Sequence, residues 1–589
     1  MKRTEDWSPP LATLAVFVVA AAVLSLRVGV IGLVEPDGAR YASVAQEMLR
    51  SGDFITPRFN GAVYLDKPPM LHWLTALAMA IFGQTEFAVR LFPVIAAAAG
   101  VALAYAMGRR LFGHWTGLAT GFVLLTSGFW FMVSRVIRFD MLLSVAIAAT
   151  IWWAWLGSED PKANRGHYIL AAIAAGFGVL VKGPVALALA GIIFVAYLLL
   201  ARRLKALIQI PWLPCVGILA IIVVPWFALC ERANPGALSH FLLHENVSRV
   251  QGGFDPNHWK PWWYLLVTLL VGAVPWTLLL PSGVYDAAKS IRREDGPARR
   301  GMLLALIWLA LTVGLFSLSK IKLPTYILPA MPAVALILAR AITSRQQAGR
   351  WPTFATGCFL VLAGVAILTV GAKPAAKVGI PTDKVVPALA LAAILTGIGA
   401  AGYSLLKRKF HGVIALGLGI IVFYHIAIVG GESMAEFPSH RALAREVARL
   451  RQPGERITSY RKVSRGTMFY LNTRIGLIGD PASEYDFPGN EGTLGDWLTP
   501  IEEAGEYLAN SPPTLLIVRE RFDEQFQEGC GKHATPVGKH GEYTLYRSTP
   551  GSDARAGSGA NTPTTGPVGS GDPTYGGLEA ARGVEGDHG

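Results

Sequence analysis

Two short stretches put carboxylates, cations and tyrosines close together: Glu35-Pro36-Asp37-Gly38-Ala39-Arg40-Tyr41 and, about 25 residues later, Tyr64-Leu65-Asp66-Lys67-Pro68-Pro69. They follow an apolar run of roughly 20 residues, the length that crosses a bilayer, and ionisable groups at such a place are costly unless they are paired or do chemistry. Further polar groups stand at the ends of later apolar runs: Arg135, Arg138 and Asp140, then Lys182, then His240, His244, Glu245, Asn246 and Arg249, then Lys320, Lys322 and Tyr326. Several cations beside a few carboxylates suit a phosphate at a membrane surface. Arg offers a two-pronged fork and Lys a point charge, and both act more strongly where the dielectric is low. A lipid phosphate fits both the chemistry and the location. Asp37 is an acceptor only when ionised and can draw a proton from a hydroxyl or orient it.

Each of these side chains also has a plainer use. Arg40 and Lys67 can anchor among lipid headgroups, Asp66 can simply pair with Lys67, and His244 can be an interfacial histidine. Asp140 can cap a helix or pair with Arg138, and Tyr326 can join an aromatic belt. What favours chemistry is that all of them fall on one side of the membrane in the topology read below.

The chain that must position them has 589 residues, 52% hydrophobic and 16% charged. That is too apolar for a soluble protein of this length, so the fold class is an α-helical polytopic membrane protein. Apolar segments at 11–33, 86–107, 115–133, 139–156, 168–181, 184–200, 212–231, 263–281, 301–318, 324–340, 352–371, 385–406 and 412–431 give about thirteen crossings. The segment 70–83 is too short to span and belongs at the interface. Splitting 168–200 at Lys182-Gly183-Pro184 places Arg109/Arg110, Lys162/Arg165, Arg202/Arg203/Lys205, the cluster 289–300, Arg340/Arg345/Arg350 and Lys407–Lys409 all on the cytoplasmic side with the N-terminus. Counting the segment once would export the later ones, against the positive-inside bias. The first run is long and lacks a clear small-residue cleavage site, so it reads as an anchor rather than a cleaved signal peptide.

Residues 1–431 are therefore the transmembrane domain. Residues 432–548 change character: Ser439 can cap a helix carrying Leu443, Val447 and Leu450, Thr514-Leu515-Leu516-Ile517-Val518 reads as a buried strand, and 456–460 and 542–547 look extended. This is a small α/β domain on the outer, periplasmic side. Residues 549–589, rich in Gly, Pro, Ser and Thr, read as a disordered tail. The net charge of +13 is accounted for by topology rather than by nucleic-acid binding. Cys215, Cys230, Cys358 and Cys530 have no metal-ligand spacing.

At these residues the chain resembles the C-type, multi-pass glycosyltransferases that use lipid-linked sugars, and within them the ArnT-like branch, which includes the enzyme that moves 4-amino-4-deoxy-L-arabinose from undecaprenyl phosphate to lipid A. The resemblance rests on Asp37-Gly38-Ala39-Arg40-Tyr41, on 52–61 (Gly-Asp-Phe-Ile-Thr-Pro-Arg-Phe-Asn-Gly), on Tyr64-Leu65-Asp66-Lys67-Pro68-Pro69 and on 322–329 (Lys-Leu-Pro-Thr-Tyr-Ile-Leu-Pro). It implies an outer-face, inverting transfer from a polyprenyl-phosphate donor to a lipid or glycan acceptor. Asp37 then matches the catalytic aspartate and Asp140 a second acid. Arg40, Lys67 and Arg249 match cations that hold the carrier phosphate, with Lys320 in the same group, and Tyr64 and Tyr326 match tyrosines lining that site. Asp66 and His244 match a pair able to share a divalent metal ion, although no cofactor is required by the reaction. The chain departs from the family where Asp37 is followed by Gly38 rather than Glu, and where Asp66 replaces Glu before Lys67.

Two other classes compete. A lipid or glycolipid transporter would also have many crossings and internal charges, but its site would lie near the midplane, and no internal repeat is evident. A noncatalytic assembly factor would use 432–548 as a binding module. Among enzymes, a protein O-mannosyltransferase-like activity is the alternative acceptor choice.

Overall fold

The computed structural model describes residues 9–33, 37–159, 165–243, 259–344, 350–377, 382–480, 485, 487, 490 and 497–549. Helix α1 (Pro9–Ser25) is followed by an irregular reversal through residue 33. Two arginines from elsewhere satisfy the carbonyls that a helix end leaves without partners. Arg135 donates to Leu24 O (2.7 Å) and Leu26 O (2.6 Å), while the buried Arg90 donates to Val28 O (2.8 Å), Gly32 O (2.7 Å) and Ile31 O. This reversal delivers the chain to α2 (Asp37–Ser51), an amphipathic helix with Asp37 in its first turn. Its buried face carries small residues, Ala39, Ala42 and Ala45, with Met48. That lets α3 (Met70–Phe82) pack close across it.

Between α2 and α3 lies a hairpin of β1 (Arg58–Phe59) and β2 (Ala62–Val63), paired antiparallel. Its Asn60-Gly61 turn has φ of 54° and 90°, the left-handed pair that a two-residue hairpin turn needs. Helix α4 (Glu86–Phe112) is capped by Thr85, whose side chain accepts from Ala88 N, and carries Arg109 and Arg110 in its last turn, where positive charge suits the helix dipole. The pair α5 (His114–Thr126) and α6 (Gly128–Ser134) is bent by 63°. Helix α7 (Phe139–Glu159), 21 residues long, spans about 31 Å, the thickness of a bilayer core. Helices α8 (Arg165–Lys182) and α9 (Val185–Leu200) are separate, broken at Gly183-Pro184 with Gly183 at φ 84°, as the sequence led us to expect.

Among the described residues, eight helices are long and apolar enough to cross a membrane, and up to ten if each bent pair is one span. The second bent pair, Tyr264–Gly272 with Thr277–Arg293, turns by 113° within the segment around 263–281 expected to be one crossing. The remaining expected crossings, 11–33, 168–181 and 184–200, fall on α1, α8 and α9, which miss that length or composition. The molecule is a multi-span helical protein.

The helix Lys409–Ser439 runs without interruption through residue 431, where a domain boundary was expected. It ends at His440 in the left-handed conformation (φ 56°), and Arg441–Leu450 begins there with no side-chain cap. The N-cap position expected at Ser439 is thus taken by His440. Beyond it lies a six-stranded sheet of β3 (Arg456–Tyr460), β4 (Gly476–Ile478), β5 (Leu498–Thr499), β6 (Thr514–Arg519), β7 (Ala534–His540) and β8 (Tyr543–Ser548), in the order β5-β4-β3-β6-β8-β7. The β3, β4, β5 and β6 pairings are parallel, and β8 joins β6 and β7 antiparallel. Central β6 is buried on both faces. Leu515 and Ile517 join a core shared with Phe59, Tyr64 and Ala39, whereas Leu516 and Val518 meet Tyr460, Phe526 and Tyr546. One face of the sheet is therefore continuous with the core beneath α2 and the hairpin.

Candidate functional site

Asp37 sits at the N-terminal end of α2, where the helix dipole and unpaired amides favour a negative charge. Its two carboxylate oxygens go to two different arginines. Oδ1 accepts from Arg40 Nη2 at 2.6 Å, three residues on along the same helix, and Oδ2 accepts from Arg138 Nη2 at 2.5 Å, just before α7. The three side chains are 14–29% exposed, so the cluster is half-sheltered and open to a ligand. The Arg40 guanidinium also lies over the rings of Tyr41 (5.2 Å) and Tyr64 (5.6 Å), which favours a cation held over π-faces.

Behind the ion cluster is an aromatic wall. Tyr41 packs edge-on against Phe139 (4.8 Å) and His72 (6.0 Å), and His72 in turn meets Tyr64 (6.4 Å). Burial pushes the Tyr41 hydroxyl up to about 12 and pulls the fully buried His72 imidazole down to about 3. Both therefore stay neutral at ordinary pH. The charge of the site is carried by its carboxylates and its arginines and lysines.

A second ion pair stands at the start of α7. Asp140 accepts from Lys182 Nζ at 2.5 Å, with side chains 9% and 17% exposed. Lys182 Nζ also lies 5.4 Å from the centre of the Tyr326 ring. Asp140, Tyr326 and the Gly-Pro break after Lys182 thus meet at one point. Arg138, two residues before Asp140, links this pair to the Asp37 cluster along the chain.

The other expected residues are placed as follows. Lys67 folds back so that Nζ donates to the Asp66 carbonyl at 2.5 Å, and Asp66 lies within electrostatic reach of Tyr41. Lys320 Nζ lies 5.3 Å from the Trp259 ring centre, and Lys322 Nζ donates to Lys260 O (2.8 Å) and Ser319 O. Arg249 and His244 lie outside the described residues, so the expected Asp66/His244 metal pair has one member here. Among the described residues no three His, Cys, Asp or Glu side chains form a group able to hold a metal ion. Arg138 and Lys182 were visible as outer-face cations, but their partners were not, because no spacing in the sequence ties Arg138 to a carboxylate 101 positions away. The signal was indirect: a carboxylate among apolar helices demands a counter-cation. Arg135, expected in the same group, instead serves as a cap on α1.

A family model described as dolichyl-phosphate-mannose-protein mannosyltransferase matches residues 66–228. The undecaprenyl phosphate-α-4-amino-4-deoxy-L-arabinose arabinosyl transferase 1 of Pseudomonas fluorescens is 32% identical over 340 residues, 57% of this chain and 57% of that protein. The corresponding transferase of Pseudomonas aeruginosa is 33% identical over 375 residues, 63% of this chain and 66% of that protein. The match thus spans less than two thirds of the length of either relative. The crystal structure of ArnT from Cupriavidus metallidurans bound to undecaprenyl phosphate superposes with a TM-score of 0.78 at 23% identity, covering 91% of this chain and 97% of that one. Its apo form gives 0.77. In sequence and in fold alike, this chain is similar to the ArnT-like aminoarabinose transferases.

Proposed function

We propose that the chain is a membrane glycosyltransferase that moves a sugar from an undecaprenyl-phosphate or other polyprenyl-phosphate carrier to an acceptor at the outer face of the bacterial inner membrane, such as lipid A or another cell-envelope glycan. The observation that carries this reading is Asp37 held between Arg40 and Arg138 beside Tyr64, in a chain similar to transferases named for undecaprenyl-phosphate aminoarabinose. An acceptor oxygen attacks the anomeric carbon from the face opposite the carrier. The sugar–phosphate bond breaks with inversion, its electron pair leaves on the lipid phosphate, and the acceptor proton passes to Asp37. The leaving phosphate needs positive charge rather than a proton. Arg40, Lys67, Arg249 and Lys320 supply it, with the hydroxyls of Tyr64 and Tyr326 completing the cradle. Asp140, fixed by Lys182, is the second acid, placed to orient the acceptor.

Arg40 and Arg138 occupy both oxygens of Asp37. An arriving carrier phosphate competes for those same cations, so donor binding frees the Asp37 oxygens to meet the acceptor. A divalent ion at Asp66 and His244 would add charge beside the phosphate. The reading includes about thirteen crossings, with the Asp37 face and the C-terminal sheet region, residues 432–548, on the periplasmic side.

The test is transfer by purified protein from synthetic undecaprenyl-phosphate sugars, aminoarabinose among them, to lipid A, with release of undecaprenyl phosphate measured alongside. A folded protein that releases none from any donor, yet moves lipid between leaflets, is a transporter instead. The family match over 66–228 favours one second reading, protein O-mannosylation. Mass spectrometry of lipid A, surface glycans and secreted proteins from a deletion strain separates the two by which product disappears.

A further inference from the structure

Two buried asparagines outside the ion cluster bracket the hairpin that leads into it. Asn60 and Asn490 are each 1% exposed. Asn60, at the hairpin turn, donates from Nδ2 to Ile475 O (2.8 Å) and accepts Ile475 N–H at Oδ1 (3.1 Å). Asn490 accepts Val63 N–H at Oδ1 (2.8 Å) and donates from Nδ2 to Val63 O (3.0 Å). Each side-chain amide thus pairs with a backbone peptide in the way a neighbouring strand would, one in each direction across the junction. The turn is fixed a third way: Gly61 N–H donates to Glu47 of α2 (3.1 Å), whose other oxygen takes Arg474 (2.8 Å).

A hairpin of two-residue strands is marginal by itself, so these bonds decide whether it holds its shape. The residue after Val63 is Tyr64, beneath the Arg40 guanidinium, and Asp66 and Lys67 follow at once. We propose that Asn60 and Asn490 are positioning residues. The segment around β4 supplies the missing partners of the hairpin and thereby sets Tyr64 and Lys67 at their working distance from α2, so that docking of the C-terminal sheet and assembly of the carrier-phosphate cradle are one event. The loop's mechanical dependence on the sheet stands on geometry alone. Its consequence for the carrier rests on the glycosyltransferase reading.

The test uses full-length protein in lipid nanodiscs with Asn60→Ala, Asn490→Ala and the double variant, with exposed Arg449→Ala as control. Amide hydrogen exchange at Gly61 and Val63 is expected to accelerate at least about tenfold in the asparagine variants and not in the control. Undecaprenyl phosphate binding, read by native mass spectrometry, should weaken about tenfold or more in the double variant. The donor KM should rise more than kcat falls, a split that general loss of folded protein does not produce. Asn490→Asp keeps the acceptor for Val63 N–H and should restore part of the affinity. Unchanged exchange in the folded double variant overturns the proposal, as does unchanged carrier affinity despite faster exchange. Wild-type protein that binds no undecaprenyl phosphate, with exchange responding as expected, overturns the donor reading and leaves the clamp standing.

Discussion

Asp37 and Asp140 are both carboxylates held by cations at the same face, yet their surroundings ask different things of them. Asp37 is 24% exposed and shares its two oxygens between two arginines, so a ligand can reach it and exchange partners. Asp37→Asn keeps size and most hydrogen bonding but removes the charge that accepts a proton. Turnover is expected to fall by about 10²–10⁴-fold while carrier still binds. Single-turnover kinetics at the wild-type rate would make Asp37 structural and move the base assignment to Asp140. The Asp140–Lys182 pair is more enclosed. Removing one partner of such a pair strands a charge, at a cost of about 3–5 kcal/mol, whereas replacing both with apolar groups is often close to neutral. Asp140→Leu and Lys182→Met should therefore each lower the thermal midpoint more than the double variant does. Additive losses would show that the two side chains do not depend on each other.

At the scale of elements, helix packing relies on close approach. The helices Arg350–Val370 and Val385–Leu405 touch through glycine: a Cβ built on Gly357 would lie 2.7 Å from Ala401 N and Gly397 O, and one on Gly397 would lie 2.5 Å from Gly357 O. Small residues at a membrane-helix interface permit this backbone contact. Gly397→Val must push the helices apart and should lower the midpoint of thermal unfolding in detergent by several degrees. Gly402→Val, a position with open space around it, should not. The break at Gly183-Pro184 could be read because glycine and proline punctuate a helix locally, and β6 because its four apolar residues, Leu515 to Val518, form an unbroken run. The 113° turn after Gly272 and the αL junction at His440 could not, because both depend on tertiary packing. The Asp37–Arg40 pair follows from three-residue spacing on one helix. The partners of Arg138, Asn60 and Asn490 lie 100 residues or more away, where single-sequence patterns carry no distance information.

Over the whole molecule, the ends of α7 mark two faces. At its start lie Asp140, Lys182 and, through Arg138, Asp37. At its end Glu159 takes Arg203 (2.7 Å) and Arg300, and from there the basic residues continue: Arg340 pairs with Glu294 and lies over Phe112, at the end of α4 beside Arg109 and Arg110. Cations paired with few acids at one end of a helical bundle are what cytoplasmic retention of short basic loops produces, and on the proposed reading the Asp37 cluster belongs to the opposite, outer face. The C-terminal sheet docks on that opposite face, through Arg474 on Glu47 and Arg441 on Glu86 (2.5 Å). The arrangement makes a definite topological prediction. Gln452→Cys and Lys205→Cys are both exposed positions, one beside the sheet and one at the basic end. In cells with a permeabilised outer membrane, an impermeant maleimide should modify Cys at 452 and should reach position 205 only after the inner membrane is opened, with labelling of the four native cysteines subtracted. Modification of both from the same side would reject the two-faced assignment and, with it, an outer-face transfer reaction at Asp37.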